Sequence, residues 1–88
     1  MNADMSINKE EISYTEKQGQ YLAFIFYYTK INGTPPAQID FQRYFAVTPP
    51  TIHQMILQLE KKGLISRIPN TARSLMLCIP EEKIPKLK

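Results

Sequence analysis

The sequence has one cysteine, one histidine and no tryptophan in 88 residues. Cys78 alone cannot form an internal disulfide, and this favours a reduced, cytoplasmic setting. His53 and Cys78 are predicted on a helix and a strand, where two isolated ligands make a poor metal site. No glycine-rich phosphate loop and no nucleophile beside a base occur at motif spacing. We therefore expect no enzyme activity, no cofactor and no metal.

Long apolar runs are also missing. The longest, residues 21–28, is far too short to span a bilayer. Residues 1–13 lack the basic start and apolar run of a secretory leader, and we expect them to form a loosely held N-terminal arm. A chain of 88 residues with 43% hydrophobic content is enough for one small core. We expect one domain without membrane association.

The net charge of +3 is unevenly distributed along the chain. Residues 1–60 hold four basic and six acidic side chains, whereas residues 61–88 hold seven basic and two acidic ones. A positive region of this kind suits a polyanionic partner. It also serves to keep a small protein soluble, so the charge alone does not decide between the two roles.

The first two helices have clear start and stop signals. Thr15 is the predicted N-cap of helix 1 and Gln18 reaches back from the third helical position, as in a capping box. Helix 1 should end near residue 32, because Gly33 can adopt the left-handed conformation and two prolines follow. Helix 2 is predicted at about residues 37–45, with Phe41 and Phe45 as its buried pair.

Helix 3 is predicted over residues 49–62. Thr48 is its expected N-cap, Pro49 stands where a missing N–H costs nothing, and Gly63 ends it. The very short connection between helices 2 and 3 predicts a helix-turn-helix. After Gly63 the apolar period changes from 3.6 to 2, which predicts strands at residues 64–68 and 74–79 around a turn. Such a hairpin is a wing, and residues 80–88 are expected to form an extended or disordered tail.

One face of helix 3 is apolar and the opposite face is polar. The apolar stripe is predicted to enter the core, which leaves the other face free for contacts. If the helix enters a major groove, Gln54 is the strongest candidate for reading a base, because glutamine can bond bidentately to adenine. The full set of candidate DNA contacts on this helix is Thr48, Pro50, Thr51, His53, Gln54, Gln58 and Lys61. The alternative is an ordinary solvated helix face.

The wing and helix 1 offer further candidate surfaces. Arg67, Thr71 and Arg73 surround the predicted hairpin and could reach a phosphate or a minor groove, or could simply keep the strands soluble. Helix 1 carries apolar residues beyond its core stripe, and these predict a homodimer contact or scattered surface aromatics. The residues assigned to the dimer contact are Phe26, Tyr27 and Ile31.

Five short motifs follow one another along residues 14–79. They are Tyr14-Thr15-x-x-Gln18, Gly33-Thr34-Pro35-Pro36, Thr48-Pro49-Pro50-Thr51-Ile52, Leu59-Glu60-Lys61-Lys62-Gly63-Leu64-Ile65 and Ala72-Arg73-Ser74-Leu75. In order and spacing they resemble the winged helix-turn-helix DNA-binding domain of LexA-type repressors. The resemblance implies three helices plus a two-stranded wing, helix 3 in the major groove, and repression of transcription as a dimer.

The sequence also departs from that family. Pro50, His53 and Gln54 replace the family's recognition-helix residues, so its operator sequence is not implied. The family continues into a self-cleaving peptidase domain, and we expect the present chain to act alone, dimerising through helix 1. The fold class is therefore predicted as mainly α with a small β hairpin. The predicted function is sequence-specific binding of double-stranded DNA by a small regulator, with a protein-interaction module as the alternative.

Overall fold

The computed structural model describes residues 12–88 as three helices and a two-stranded antiparallel hairpin. The elements are α1 Glu16–Asn32, α2 Gln38–Phe45, α3 Pro49–Lys61, β1 Ile65–Ser66, β2 Met76–Leu77 and a 3-10 turn at Glu81–Lys83. This order confirms the predicted fold class of three helices followed by a wing. The predicted arm, residues 1–13, lies outside the described residues except for its last two.

Helix α1 begins and ends at the predicted residues. The Thr15 hydroxyl accepts from the Gln18 N–H at 3.1 Å, and the Gln18 Oε1 accepts from the Thr15 N–H at 3.0 Å. This reciprocal pair is the predicted capping box. At the other end Gly33 has a φ of 77°, and its N–H donates to the Thr29 carbonyl. A residue with a Cβ is strained in that conformation, which is why glycine ends the helix here.

Helix α3 differs from the prediction at its N-cap. Thr48 has the expected extended conformation, but its hydroxyl lies 3.0 Å from the Thr51 hydroxyl and accepts no backbone hydrogen bond. The reason is local, because Pro50 at the second helical position removes one of the two N–H groups that a cap can reach, and the Thr51 hydroxyl takes the Thr48 hydroxyl as its partner. The far end agrees with the prediction to within one residue: the helix ends at Lys61, and Gly63 has a φ of 77°.

The two caps make a matched pair for a stability measurement. We expect Thr15→Ala to lower the free energy of unfolding by about 1 kcal/mol, because it leaves a helix N–H without its acceptor. Thr48→Ala should cost much less, since no backbone donor depends on that hydroxyl. Urea unfolding of both variants, followed by circular dichroism, checks the difference. An equal loss of unfolding free energy in the two variants would contradict the assignment of the capping box as the stronger of the two N-caps.

The core lies where the three helices and the hairpin meet. Tyr21 of α1 is 1% exposed, and its ring stacks on Phe45 at 4.4 Å and on Phe41 at 5.3 Å between centroids. Phe24 also enters the core edge. The remaining core residues are Leu22, Ile25, Ile52, Ile56, Leu59, Leu64, Ile65 and Ile79. Of the predicted pair on α2, Phe41 is buried, whereas Phe45 is only partly buried and packs against the core. The burial of Ile52, Ile56 and Leu59 fixes which face of α3 points outwards.

The wing strands are shorter than predicted. Ile65 pairs with Leu77 and Ser66 with Met76, and the Cys78 N–H donates to the Leu64 carbonyl at 2.9 Å. Beyond Ser66 the ladder stops because both backbone groups of Ile68 bond to the Ser74 hydroxyl rather than to the facing strand. Residues 70 and 73, with left-handed φ values of 60° and 55°, then turn the chain. The turn between them is closed by a serine: the Ser74 hydroxyl accepts from the Ile68 N–H at 3.0 Å.

The segment after the wing is the largest correction to the predicted fold. Residues 80–88 are not a free tail, because they include a 3-10 turn and run back along α1. The Tyr14 hydroxyl donates to the Lys83 carbonyl, and the Gln20 amide donates to the Lys86 carbonyl at 2.9 Å. Ile84 and Leu87 pack against the core. The sequence does not predict this packing, because Ile84 and Leu87 stand among prolines and lysines without the spacing of a strand or a helix.

Candidate nucleic-acid interface

The outward face of α3 is a continuous exposed stripe. Pro50, Gln54, Leu57 and Lys61 follow at helical spacing on the side opposite the buried Ile52, Ile56 and Leu59. Leu57 is 39% exposed, so its side chain is part of this surface. Among the residues that the structure describes, Lys61 forms no ion pair or hydrogen bond through its side chain. The stripe therefore presents an amide, an apolar group and an unpaired cation side by side.

Three further predicted residues flank the start of this stripe. Thr48 and Thr51 are exposed, and their paired hydroxyls stand at the N-terminal end of α3. His53 is exposed on the side of the helix that faces the wing. A helix entering a major groove presents these first two turns to the base edges. The structure thus leaves all three side chains accessible.

The predicted contact Gln58 has a different environment from its neighbours. Its Oε1 accepts from the Nε2 of Gln18 at 3.2 Å, and Gln18 is 6% exposed. The Oε1 of Gln18 in turn accepts from the Lys62 ammonium at 2.8 Å. Because a buried amide needs partners, this cluster ties the C-terminal half of α3 to the start of α1. Gln58 is turned toward helix α1 rather than toward the centre of the exposed stripe.

The wing residues are held by partners within the chain. The Arg67 Nε lies 3.2 Å from the Glu60 carboxylate, across the junction of α3 and β1. The Thr71 hydroxyl donates to the Pro69 carbonyl at 3.3 Å. Thr71 is exposed, and the Arg67 and Glu60 side chains are 32% and 31% exposed, so neither interaction is deeply buried and each contributes little to stability. Arg67 and Thr71 are therefore able to exchange these partners for a phosphate.

Arg73 makes a more extensive set of contacts. Its Nη1 donates to the Asp40 carboxylate at 3.0 Å and to the Tyr28 hydroxyl at 3.1 Å, with the Pro35 carbonyl at 3.4 Å. Its guanidinium carbon also lies 6.0 Å from the centre of the Tyr28 ring. The acceptors come from α1, from the turn before α2, and from α2 itself. The side chain thus points inward from the wing to the helices.

A cleft of about 230 Å³ separates the wing from the starts of α2 and α3. Four predicted contact residues line it: His53, Arg67, Thr71 and Arg73. Gln38, at the first turn of α2, also lines the cleft and was not predicted as a contact. The N-terminus of a helix and basic side chains are both suited to an anion. In the free protein, however, Arg67 and Arg73 each lie against a carboxylate, of Glu60 and Asp40 respectively. No pattern in the sequence marked Gln38 as a contact, because it lies in the first turn of a short helix just after two prolines.

The predicted dimer residues lie together on α1, away from this cleft. Phe26 and Tyr27 are half-buried and meet edge to face at 5.0 Å, but neither packs against the core. The Lys30 ammonium lies 5.7 Å from the centre of the Phe26 ring. Ile31 is 79% exposed. Apolar exposure is not confined to α1, however, since Met76 of β2 is 64% exposed and lines a groove beside Phe26.

Two other features are absent from the part of the chain that the structure describes. Within residues 12–88, no three or more His, Cys, Asp or Glu side chains are grouped as metal ligands. None of the helices in that range has the length and apolar character needed to cross a membrane.

A helix-turn-helix whose second helix carries an exposed polar face, followed by a two-stranded antiparallel hairpin, defines a winged helix-turn-helix protein. The LexA DNA-binding domain family model matches residues 12–74. The chain is 41% identical over 70 residues to the LexA repressor of Thermosipho melanesiensis, covering 80% of this chain and 35% of that protein. It is also 41% identical over 63 residues to the LexA repressor of Thermosipho africanus, covering 72% of this chain and 32% of that protein. The chain belongs to the LexA DNA-binding domain family.

Proposed function

We propose that this chain binds double-stranded DNA sequence-specifically and acts as a small transcriptional repressor. Helix α3 lies in the major groove, and the wing, residues 65–79, contacts the backbone or the minor groove. The observation that carries the proposal is the exposed stripe of α3, which places Gln54 and Lys61 on the side opposite the core. The relatives named as LexA repressors support the same role.

Repression is a property of the full-length relatives rather than of the region that this chain matches, so it is proposed for this chain together with dimerisation. The chain spans about a third of the length of the curated relatives it matches, at 35% and 32%. Binding as a homodimer is proposed because one winged helix buries only roughly 600 to 1,000 Å² on DNA, which limits affinity. We propose a cytoplasmic location, where the DNA is, and a binding role without catalysis.

The adjacent lysines at the end of α3 provide a test of the docking geometry. We expect Lys61→Gln to make the salt dependence of duplex binding shallower by about 1, because its free ammonium neutralises a phosphate and releases a counterion. Lys62→Gln should leave the slope unchanged, since its ammonium is bonded to the buried Gln18. Fluorescence anisotropy on a duplex of random sequence, from low to high salt, gives both slopes. A Lys62 effect equal to that of Lys61 would contradict the proposed face.

The same salt series separates DNA binding from a protein-interaction role. A winged helix that contacts only proteins has no counterions to release from a duplex, and its weak binding would not follow the logarithm of salt concentration. The aromatic face of α1 and the exposed Leu57 would then be the contact surfaces. Selection of bound duplexes from a random pool completes the test, because a repressor enriches one sequence and an interaction module enriches none.

A further inference from the structure

Arg73 occupies an unusual position for a residue expected to contact DNA. Its backbone has a left-handed φ of 55°, at the end of the wing turn. This conformation is uncommon for a residue with a side chain and requires compensating contacts. The contacts are the hydrogen bonds of Nη1 to Tyr28, Pro35 and Asp40. One guanidinium therefore joins the wing to the end of α1, to the following turn and to α2.

The Asp40 carboxylate, which accepts from Arg73, lies where the wing meets the helices. The Asp40 side chain is 13% exposed, against 40% for Arg73. Its Oδ2 accepts both from Arg73 and from the Ala37 N–H at 2.8 Å, at the start of α2. Partial burial acts to raise the pKa of Asp40, but the Ala37 N–H and the Arg73 charge outweigh it and hold that pKa below its usual range. A mostly buried carboxylate left without its cation would be costly.

The wing is anchored in the core by Ile65 and Ile79, but the turn between its strands has few polar attachments to the helices. The two strands pair over only two residues each, and the turn between them closes on its own Ser74. Arg67 reaches α3 through a partly exposed ion pair with Glu60. Without Arg73 the wing turn has no polar tie to α1 or α2 among the described residues. The angle between wing and α3 decides whether both reach one duplex.

We propose that Arg73 and Asp40 form a latch that sets the angle of the wing, so that Arg73 positions the DNA-binding surface rather than binding a phosphate itself. The proposal rests on the DNA-binding function stated above. The two roles make opposite demands on Asp40, because a phosphate ligand competes with that carboxylate whereas a latch depends on it. Neutralising Asp40 therefore distinguishes them by the sign of the effect.

The experiment compares five variants for binding to a random-sequence duplex over a salt series. A latch predicts that Asp40→Asn and Arg73→Gln both lower affinity, by a similar factor, with unchanged salt slopes. Asparagine keeps an oxygen for the Ala37 N–H, so the start of α2 is preserved. The double variant should be no weaker than either single one, because both remove one interaction. Glu16→Gln, which neutralises a surface carboxylate on α1, controls for the change in net charge.

A phosphate-binding Arg73 predicts the opposite results. Asp40→Asn would then raise affinity by more than Glu16→Gln does, Arg73→Gln would lower the slope by about 1, and Arg73→Lys would restore binding. If Arg73 acts as a latch, lysine lacks the planar guanidinium that the latch needs, so Arg73→Lys should lower the affinity as much as Arg73→Gln does. Any of these three results overturns the proposal.

Hydrogen exchange of the free protein tests the latch without DNA. In Asp40→Asn and in Arg73→Gln, the Cys78 amide, which pairs with Leu64, should exchange about tenfold faster, while amides in the middle of α3 keep their protection. Unchanged wing protection in both variants overturns the latch. A latch confirmed by exchange in a protein that shows no salt-dependent duplex binding would instead reject the proposed function alone.

Discussion

We expect Gln54→Ala to weaken binding to the preferred duplex by about 1 to 3 kcal/mol, roughly 5- to 150-fold, while binding to random duplex changes little. Gln54 lies in the first two turns of α3, and its exposed side chain is at the centre of the outward stripe. An amide that bonds to a base edge contributes only when the right base is present. A side chain that contacts the backbone contributes to every sequence alike.

Gln58 provides the matched control one turn further along the same helix. Its amide is already bonded to Gln18, so Gln58→Ala should leave the ratio of specific to random binding nearly unchanged. The measurement is a pair of competition titrations for each variant, with the selected duplex and with a shuffled duplex. Equal losses on the two duplexes for Gln54→Ala would remove that residue from the base-reading set.

The contrast between these two glutamines shows how far the sequence predicts the site. Helical periodicity correctly places Ile52, Ile56 and Leu59 inside and the polar side chains outside, because that pattern is local to one helix. Periodicity does not reveal that Gln58 meets Gln18, which lies 40 residues away along the chain. The sequence therefore predicts the face of α3, whereas the choice among its amides depends on tertiary contacts.

The same distinction holds for the fold. The capping box of Thr15 and Gln18 and the stop at Gly33 are encoded within a few residues, and both are confirmed. The Arg73 contacts with Asp40 join residues 33 positions apart, and no local pattern marks them. Segment 80–88 accepts hydrogen bonds from Tyr14 and Gln20 through its backbone carbonyls, and these acceptors are present whatever the sequence. Interactions of that kind become visible only once the helices are in place.

The apolar surface of α1 has the composition of an interface, and the groove beside it is lined by residues of α1, the turn after it and the wing, and by none of α3. Phe26 lines a mostly apolar groove together with Pro35, Met76 and Leu77. Ile31 and Met76 are the two most exposed large hydrophobic residues described. In a two-fold dimer the same patch serves both subunits, so a self-complementary groove and ridge are required. The Phe26 groove and the protruding Met76 side chain supply one of each.

Disrupting this surface should give the largest loss of DNA affinity. We expect Phe26→Glu combined with Tyr27→Glu to produce a folded monomer whose affinity for a palindromic site falls about 10²- to 10⁴-fold, since the second half-site is then no longer bound at high effective concentration. Neither side chain packs against the core, so the fold should persist. Ile39→Glu, at another exposed apolar residue on α2, is the matched control and should remain dimeric. Light scattering at tens of micromolar measures the oligomeric state of each protein. A wild-type monomer, or a double variant that stays dimeric, would reject α1 as the dimer interface.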